Sequence, residues 1–184
     1  MAQNIDKKAI FYSIKINYLA NICATSALVD IFMQAKDLDS ADRKILNQLQ
    51  KDATLSAASV GEAIGLSQSS CSRRMQRLRD AGFIRREVAL LDRKKVGFDT
   101  QIFAQVRISA HERDGFSEAI RGYPEVLECH VILGPFDFLL RIVVENVEQY
   151  EKFFFERLSR LPGIQEVNSS ITLSEVKYTT ALAL

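Results

Sequence analysis

A basic stretch at residues 67–82, SQSSCSRRMQRLRDAG, carries the side chains with the clearest chemistry in the sequence. Arginine can bond guanine edges or phosphates, glutamine can pair with adenine, and serine can bond either. If the stretch is helical, at about 100° per residue, these groups share one outward face. We expect five of them to face the DNA major groove: Ser69, Ser72, Arg73, Gln76 and Arg77. We expect three more to meet backbone phosphates: Ser67, Ser70 and Arg74. The alternative is a solvated surface helix.

The same stretch contains the signals of a well-bounded amphipathic helix. Ser67 can cap its start because the hydroxyl accepts an unpaired backbone N–H of the first turn. Gly82 can end it, because glycine enters the left-handed conformation without steric cost. Cys71, Met75 and Leu78 fall at i, i+4 and i+7 and form one apolar stripe. On that stripe Cys71 is expected to be a buried thiol rather than a nucleophile.

Two further helices precede this one and would position it. The first is predicted at residues 38–51, with Asp39 or Ser40 as its cap. Its apolar face consists of Leu38, Ile45, Leu46 and Leu49. The second follows Ser56 as its cap, with Val60, Ala63 and Ile64 facing inward. A tight turn at Gly65 then leads into the basic helix, which predicts a helix-turn-helix.

The segment that follows Gly82, FIRREVALLDRKKVG, predicts a basic wing or an extended linker beside the DNA backbone. Its basic side chains are Arg85, Arg86, Arg93, Lys94 and Lys95. Contacts of this kind would add salt-sensitive affinity without reading sequence.

Charge is divided unevenly along the 184 residues, although the net charge is only +1. Residues 67–99 carry nine basic and four acidic side chains, whereas residues 100–184 carry eight and twelve. This asymmetry indicates one part that meets a polyanion and another that does not. The three cysteines form no metal-spaced cluster, and the sequence has no Gly-rich phosphate loop. We therefore expect no metal and no cofactor, and an enzyme is the weaker hypothesis.

Residues 1–37 are treated as an N-terminal extension. Their apolar run is interrupted by Lys15, Asn17, Asn21 and Asp30, which suits neither a secretory signal nor a membrane span. We expect no membrane partner. Our hypothesis is that the native start is Met33, so that residues 1–32 are an upstream extension; a native arm is the alternative.

The spacing of apolar residues changes at residue 100 from a helical period to alternation. Residues 101–109 alternate and predict a strand, with Ile102, Ala104, Val106 and Ile108 on one face. A helix is predicted at 114–122, strands at 126–133 and 136–144, a helix at 147–161 and a last strand at 164–178. A unit of helix, proline turn and strand recurs after 38 residues, so Phe116 corresponds to Phe154 and Pro124 to Pro162. The resulting βαββαβ order predicts a ferredoxin-like fold.

These motifs resemble the Lrp/AsnC (leucine-responsive/asparagine-responsive) family of transcription regulators. The matching strings include LDSADRKILNQLQKDA, GLSQSSCSRRMQRLRDAGFI and PEVLECHVILGPFDFLLRI. The resemblance implies an α+β protein with an all-α winged helix-turn-helix at 38–99 that carries a small wing. It also implies a ferredoxin-like βαββαβ domain at 100–180 for effector binding and oligomerisation. Members are dimers that assemble further, commonly into octamers, and bind effectors between adjoining dimers.

The effector positions are likewise implied by the resemblance. The family's G-x-x-D turn corresponds to Gly134 and Asp137. A purely structural reading of this turn remains open, with Asp137 as its cap. Other pocket positions correspond to His130, Val147, Ser170, Ile171 and Thr172. His130 replaces what is often an apolar residue in leucine-binding members, so a polar or aromatic amino acid, or no effector, is equally open. A strand histidine at a subunit contact is the alternative for His130.

The sequence as a whole predicts a cytoplasmic, nucleoid-associated transcription regulator that binds double-stranded DNA. Its assembly or DNA affinity would respond to an amino acid or related metabolite. The alternative function is an architectural DNA-binding protein that needs no effector. If the free face of the predicted sheet is apolar, a second copy of the chain is the simplest cover for it.

Overall fold

The computed structural model describes residues 38–184, and the hypotheses about residues 1–37 lie outside that range. The described chain divides into two compact units, which we treat separately. The DNA-binding unit contains residues 38–89 together with the segment 178–184. The sheet unit contains residues 90–177.

Three helices form the DNA-binding unit, as the sequence predicts: α1 (Ser40–Leu49), α2 (Ala57–Ile64) and α3 (Gln68–Asp80). Side chains cap all three, because Asp39, Ser56 and Ser67 each accept a backbone N–H from the first turn. At Asp39 the cap is a reciprocal capping box with Asp42. These caps fix where each helix begins.

A small apolar core holds the three helices together. It consists of Ile45, Leu46, Leu49, Val60, Cys71, Met75 and Leu78. The predicted apolar stripe of α3 is thus buried, and Ile64 packs against this core. Ala63 is exposed, so the prediction that it faces inward was wrong. Gly61 lies so close to the following turn that an added Cβ would stand 2.7 Å from the Leu66 carbonyl oxygen. Gly65 has a φ of 75°, so it provides the left-handed residue that ends α2.

The segment expected to be a wing or a linker contains no strand between residues 85 and 92, and residues 93–97 form a turn. This segment therefore adds no strand to the three helices among the described residues. One nitrogen of the Arg93 guanidinium donates to the carbonyl oxygens of Phe98 and Asp99, which ties part of that side chain to the turn.

The sheet unit has the predicted βαββαβ order. Its elements are β1 (Thr100–Ile108), α4 (Arg113–Arg121), β2 (Val126–Val131), β3 (Phe138–Val144), α5 (Val147–Glu156) and β4 (Ile164–Ile171). Short 3-10 turns precede α4 at Ala110–Glu112 and follow α5 at Leu158–Arg160. The four strands pair antiparallel in the order β2-β3-β1-β4, which is the ferredoxin-like arrangement.

Alternation along β1 determines which face of the sheet is buried under the helices. Ile102, Ala104, Val106 and Ile108 all point into the core, where Phe116 of α4 and Phe153 of α5 cover them. The last strand is shorter than the predicted 164–178, because its pairing with β1 ends at Ile102 opposite Ile171. One further backbone bond, from Thr172 N–H to the Gln101 carbonyl, closes the sheet at this end.

Candidate DNA interface and effector positions

The N-terminal half of α3 carries, on its exposed surface, three of the side chains predicted to face the groove. Ser69, Ser72 and Arg73 are all exposed, while Cys71 between them is fully buried. Ser67 and Ser70 are tied to the cap, since the Ser67 hydroxyl accepts the Ser70 N–H at 3.3 Å. This arrangement leaves a hydroxyl and guanidinium surface available to a polyanion.

Two arginines of α3 are engaged by carboxylates of the DNA-binding unit. Arg74, predicted to meet phosphate, donates to Asp39 at 2.7 Å and to Asp42 at 2.9 Å, and its phosphate contact stays a prediction. Its side chain is 27% exposed. Arg77, predicted to face the groove, donates to the other oxygen of Asp42 but remains 53% exposed. Arg74 therefore serves first to join α3 to α1, and Arg77 has both an internal partner and an outward surface.

Asp42 is the centre of this cluster, and it is fully buried. It closes the capping box of α1 and accepts both guanidinium groups from α3. The apolar face predicted for this helix did not include Asp42. Its spacing nevertheless indicates burial, because Asp42 precedes the core residues Ile45, Leu46 and Leu49 by three, four and seven positions.

The charges of the cluster also affect the ionisation of Asp39. Its carboxylate accepts the Asp42 backbone N–H and the Arg74 guanidinium, and these bonds lower its pKa to about 2. Asp39, Arg73, Arg74 and Arg77 together line a cavity of about 340 Å³ on the DNA-binding unit. Among the arginines of α3 in the described chain, Arg73 is the one with no carboxylate partner.

Two further side chains of α3 with sequence-based predictions are Gln76 and Cys71. The Gln76 amide is exposed and donates to Asp80 one turn later at 2.7 Å, so it is held on the outer surface. The Cys71 Sγ lies 3.7 Å from the Met75 sulfur, and burial raises the pKa of the thiol. A raised pKa disfavours the thiolate that nucleophilic chemistry needs.

The turn between β2 and β3 is built around the carboxylate of Asp137, which is 5% exposed. One carboxylate oxygen accepts the Ile108 backbone N–H at 3.0 Å, and the other accepts from Arg113 of α4. The Asp137 backbone also bonds Val106 and Ile132. These bonds support the structural reading of Asp137, and its role toward an effector stays a prediction. Gly134 in the same turn has no atom within 4 Å of an added Cβ.

His130 lies on the sheet face opposite the helices. Its Nε2 is 3.2 Å from Glu128, which also accepts from Arg141 of β3. The pKa of Glu128 is lowered mainly by the Arg141 bond and then by His130. On this face Arg107 pairs with Glu166 at 2.9 Å, so ion pairs are interspersed with apolar side chains such as Phe103.

The remaining effector positions lie at the other end of the sheet. Ser170 and Ile171 pair with Phe103 and Ile102 near the start of β1, and Thr172 bonds Gln101. Val147 begins α5 just after β3, whose Val144 pairs with Thr100. By contrast, Asp137 bonds Val106 and Ile108 near the end of β1. Four residues of strand span about 13 Å, so a single chain does not bring the two groups together.

The described residues contain no group of three or more His, Cys, Asp or Glu placed to hold a metal ion. None of the helices between residues 38 and 184 is both long and apolar enough to cross a membrane.

Both units match known families. Residues 38–85 match the winged helix-turn-helix DNA-binding model, and residues 101–182 match the Lrp/AsnC ligand binding domain. The chain belongs to the Lrp/AsnC family of transcriptional regulators. It is 35% identical to the DNA-binding transcriptional activator DecR of Escherichia coli over 150 residues, which are 80% of this chain and 99% of DecR. It is equally identical to the E. coli leucine-responsive regulatory protein over 152 residues, 81% and 93% of the two chains.

Solved Lrp/AsnC structures share the fold. A Neisseria meningitidis transcriptional regulator crystallised with L-Met superimposes with a TM-score of 0.77 at 36% identity, over 79% of this chain and 96% of that one. An AsnC family regulator from Agrobacterium tumefaciens gives a TM-score of 0.75 at 38% identity, over 79% and 97%. The family resemblance and the α+β fold inferred from the sequence are thereby confirmed.

Proposed function

We propose that this Lrp/AsnC regulator reads a specific DNA sequence through α3 and responds to an amino acid or related metabolite. Ser69, Ser72, Arg73, Gln76 and Arg77 face the major groove in this proposal. Ser67, Ser70 and the partly exposed edge of Arg74 meet phosphates. The exposed guanidinium of Arg73 supports a base contact, because no ion pair among residues 38–184 would have to be broken to make it.

The effector site requires more than one chain. The turn that contains Gly134 and Asp137 and the group formed by Val147, Ser170, Ile171 and Thr172 lie at opposite ends of β1. A ligand that touches both groups therefore lies between two copies. This separation is the observation that best supports an effector bound at an interface in a homo-oligomer. We propose dimers that assemble further, with an octamer as the expected ring.

The L-Met bound to the N. meningitidis relative makes an amino acid the effector class to test first. His130, beside Glu128 on the exposed sheet face, would favour an effector or a subunit contact with polar character. The site of action would be the cytoplasmic nucleoid, where the DNA partner is.

DNA selection from a random library, followed by footprinting, tests the proposal. We expect an enriched motif with two half-sites about one helical turn apart, or a multiple of it, because paired helix-turn-helix units bind one face of the duplex. Similar affinity for many unrelated sequences would instead support architectural binding without base reading.

A further inference from the structure

The segment 178–184 returns from the end of the sheet unit and belongs to the DNA-binding unit. It forms neither helix nor strand. Leaving β4 at Ile171, the chain passes the proposed effector residue Thr172 and reaches α1 about ten residues later. The chain therefore connects the two units at two places, once through the linker near residue 90 and once through this segment.

Gln50, just after α1, uses both ends of its side-chain amide on one residue of the segment. Its Nε2 donates to the Leu182 carbonyl oxygen at 3.1 Å, and its Oε1 accepts the Leu182 backbone N–H. One turn earlier, Asn47 donates to the Leu184 carbonyl oxygen at 3.2 Å. Two side chains three positions apart at the end of α1, one turn of helix, thus bond two residues of the segment that lie two positions apart.

The docking is polar and shallow. Leu182 itself remains 70% exposed, so burial of its side chain contributes little to holding the segment. Exposed hydrogen bonds compete with water and individually contribute little net stability. A contact of this type forms and releases readily, unlike the buried helix core beside it.

Within the DNA-binding unit, α1 bonds both α3 and the returning segment. Its N-terminal end holds Asp42, which accepts Arg74 and Arg77 from α3. Its C-terminal end holds Asn47 and Gln50, which bind the returning segment. We propose that the Asn47–Gln50 face of α1 is a docking surface for segment 178–184 of the same chain, and that this docking links effector occupancy to DNA affinity. This inference rests on the amino-acid response proposed above.

The test compares two variants that remove the docking with one matched control. Gln50→Ala removes both amide bonds, and Leu182→Pro removes the N–H that Gln50 accepts. Gln48→Ala changes a similarly half-buried glutamine of α1 that makes no side-chain bond to the segment. Hydrogen exchange of residues 178–184 in the full chain reports the docking, and DNA titration with and without L-Met, or the amino acid that most raises Tm, reports the linkage.

We expect slower exchange of the segment in the wild type and in Gln48→Ala than in the two docking variants. We expect the amino acid to change wild-type DNA affinity about fivefold or more, and the change to fall within about twofold in Gln50→Ala and Leu182→Pro. Equal exchange in all four proteins would overturn the docking. Protection that disappears on dilution to monomers would assign the segment to a second copy and overturn docking within one chain.

The two proposals fail in distinguishable ways. If amino acids raise Tm and change DNA affinity equally in the wild type and Gln50→Ala, the linkage is wrong and the amino-acid response stands. If no amino acid raises Tm or changes DNA affinity, the response is wrong, and the linkage to it is overturned as well.

Discussion

The carboxylate of Asp42 on α1 is fully buried and accepts the guanidinium of Arg77, which lies 35 positions later on the recognition helix α3. Arg74 bonds the second oxygen of the same carboxylate at 2.9 Å. One acidic residue therefore positions two arginines for which the sequence predicts DNA contacts. This pairing divides the basic face of α3 into side chains that bond α1 and its cap, Arg74 and Arg77, and side chains such as Arg73 that have no carboxylate partner among the described residues.

Replacing Asp42 tests the holding role. Asp42→Ala removes half of the capping box and leaves two arginines without their shared partner, so we expect a loss of about 2–3 kcal/mol in unfolding free energy. Denaturant unfolding followed by circular dichroism measures it. Asp52→Ala is the control, because Asp52 is exposed and its carboxylate accepts only from the backbone N–H and hydroxyl of Thr54 among the described residues. Equal losses in the two variants would contradict the role given to Asp42.

Arg73 tests the reading role. Arg73→Ala should weaken specific DNA binding by about 1–3 kcal/mol and relax discrimination at one base position. The unfolding free energy of Arg73→Ala should equal that of the wild type, because the exposed Arg73 side chain has no carboxylate partner among residues 38–184. Arg73→Lys keeps the charge and loses the planar fork, so it should recover random-sequence binding only. Equal weakening by Arg73→Ala on specific and random DNA would make Arg73 a phosphate contact.

Variants of Asp137 and Gly134 distinguish a structural role of the β2–β3 turn from a role in ligand binding. Asp137→Ala should lower Tm without any effector, because the Ile108 N–H and Arg113 lose a buried acceptor. Gly134→Ala should fold normally, since an added Cβ meets no atom within 4 Å. If an effector approaches this turn closely, Gly134→Ala should weaken its binding. A Gly134→Ala protein that binds the effector as the wild type does would place the ligand elsewhere.

Asp39 predicts a pH dependence of stability. Its folded pKa is about 2, below the ordinary value of 3.8, because the Asp42 N–H and Arg74 favour the carboxylate. A lowered pKa stabilises the fold above the ordinary value, and that contribution is lost as pH falls through about 2. Asp39→Asn keeps a capping oxygen but no charge. The wild type should therefore exceed it in stability above pH 4 and converge with it towards pH 2. A constant difference from pH 5 to pH 2 would count against this ion pair.

The local elements of this fold were predictable from sequence, because caps and periodicity act over a few residues. Ser56, Ser67 and the apolar stripe of α3 lie where their spacing placed them. The end of β4 was not predictable from its own residues, because a strand continues only while β1 supplies backbone partners. The burial of Asp42 was foreshadowed by its helical spacing, but the choice of Arg74 and Arg77 as its partners depends on how three helices pack.

In the candidate DNA interface, too, some features were predictable from local sequence and others depend on how the helices pack. The outward face of α3 follows from its 3.6-residue period, and Ser69, Ser72 and Arg73 are exposed as that period requires. The occupation of Arg74 by Asp39 and Asp42 could not be read from α3 alone, since those carboxylates belong to a helix more than 30 positions earlier. The docking of Leu182 on Gln50, 132 positions apart, carries no local sequence signal at all.

Thermal unfolding of the full chain with each of the twenty amino acids tests most directly whether the protein binds one of them. The Gly134→Ala variant is measured in parallel. A ligand at about 100 times its Kd stabilises a protein by about 2.7 kcal/mol, which raises Tm measurably. We expect one amino acid, or a small group of similar ones, to raise the Tm of the wild type and to raise that of Gly134→Ala less. The absence of any shift in the wild type would contradict an amino-acid-responsive regulator and leave DNA binding without this switch.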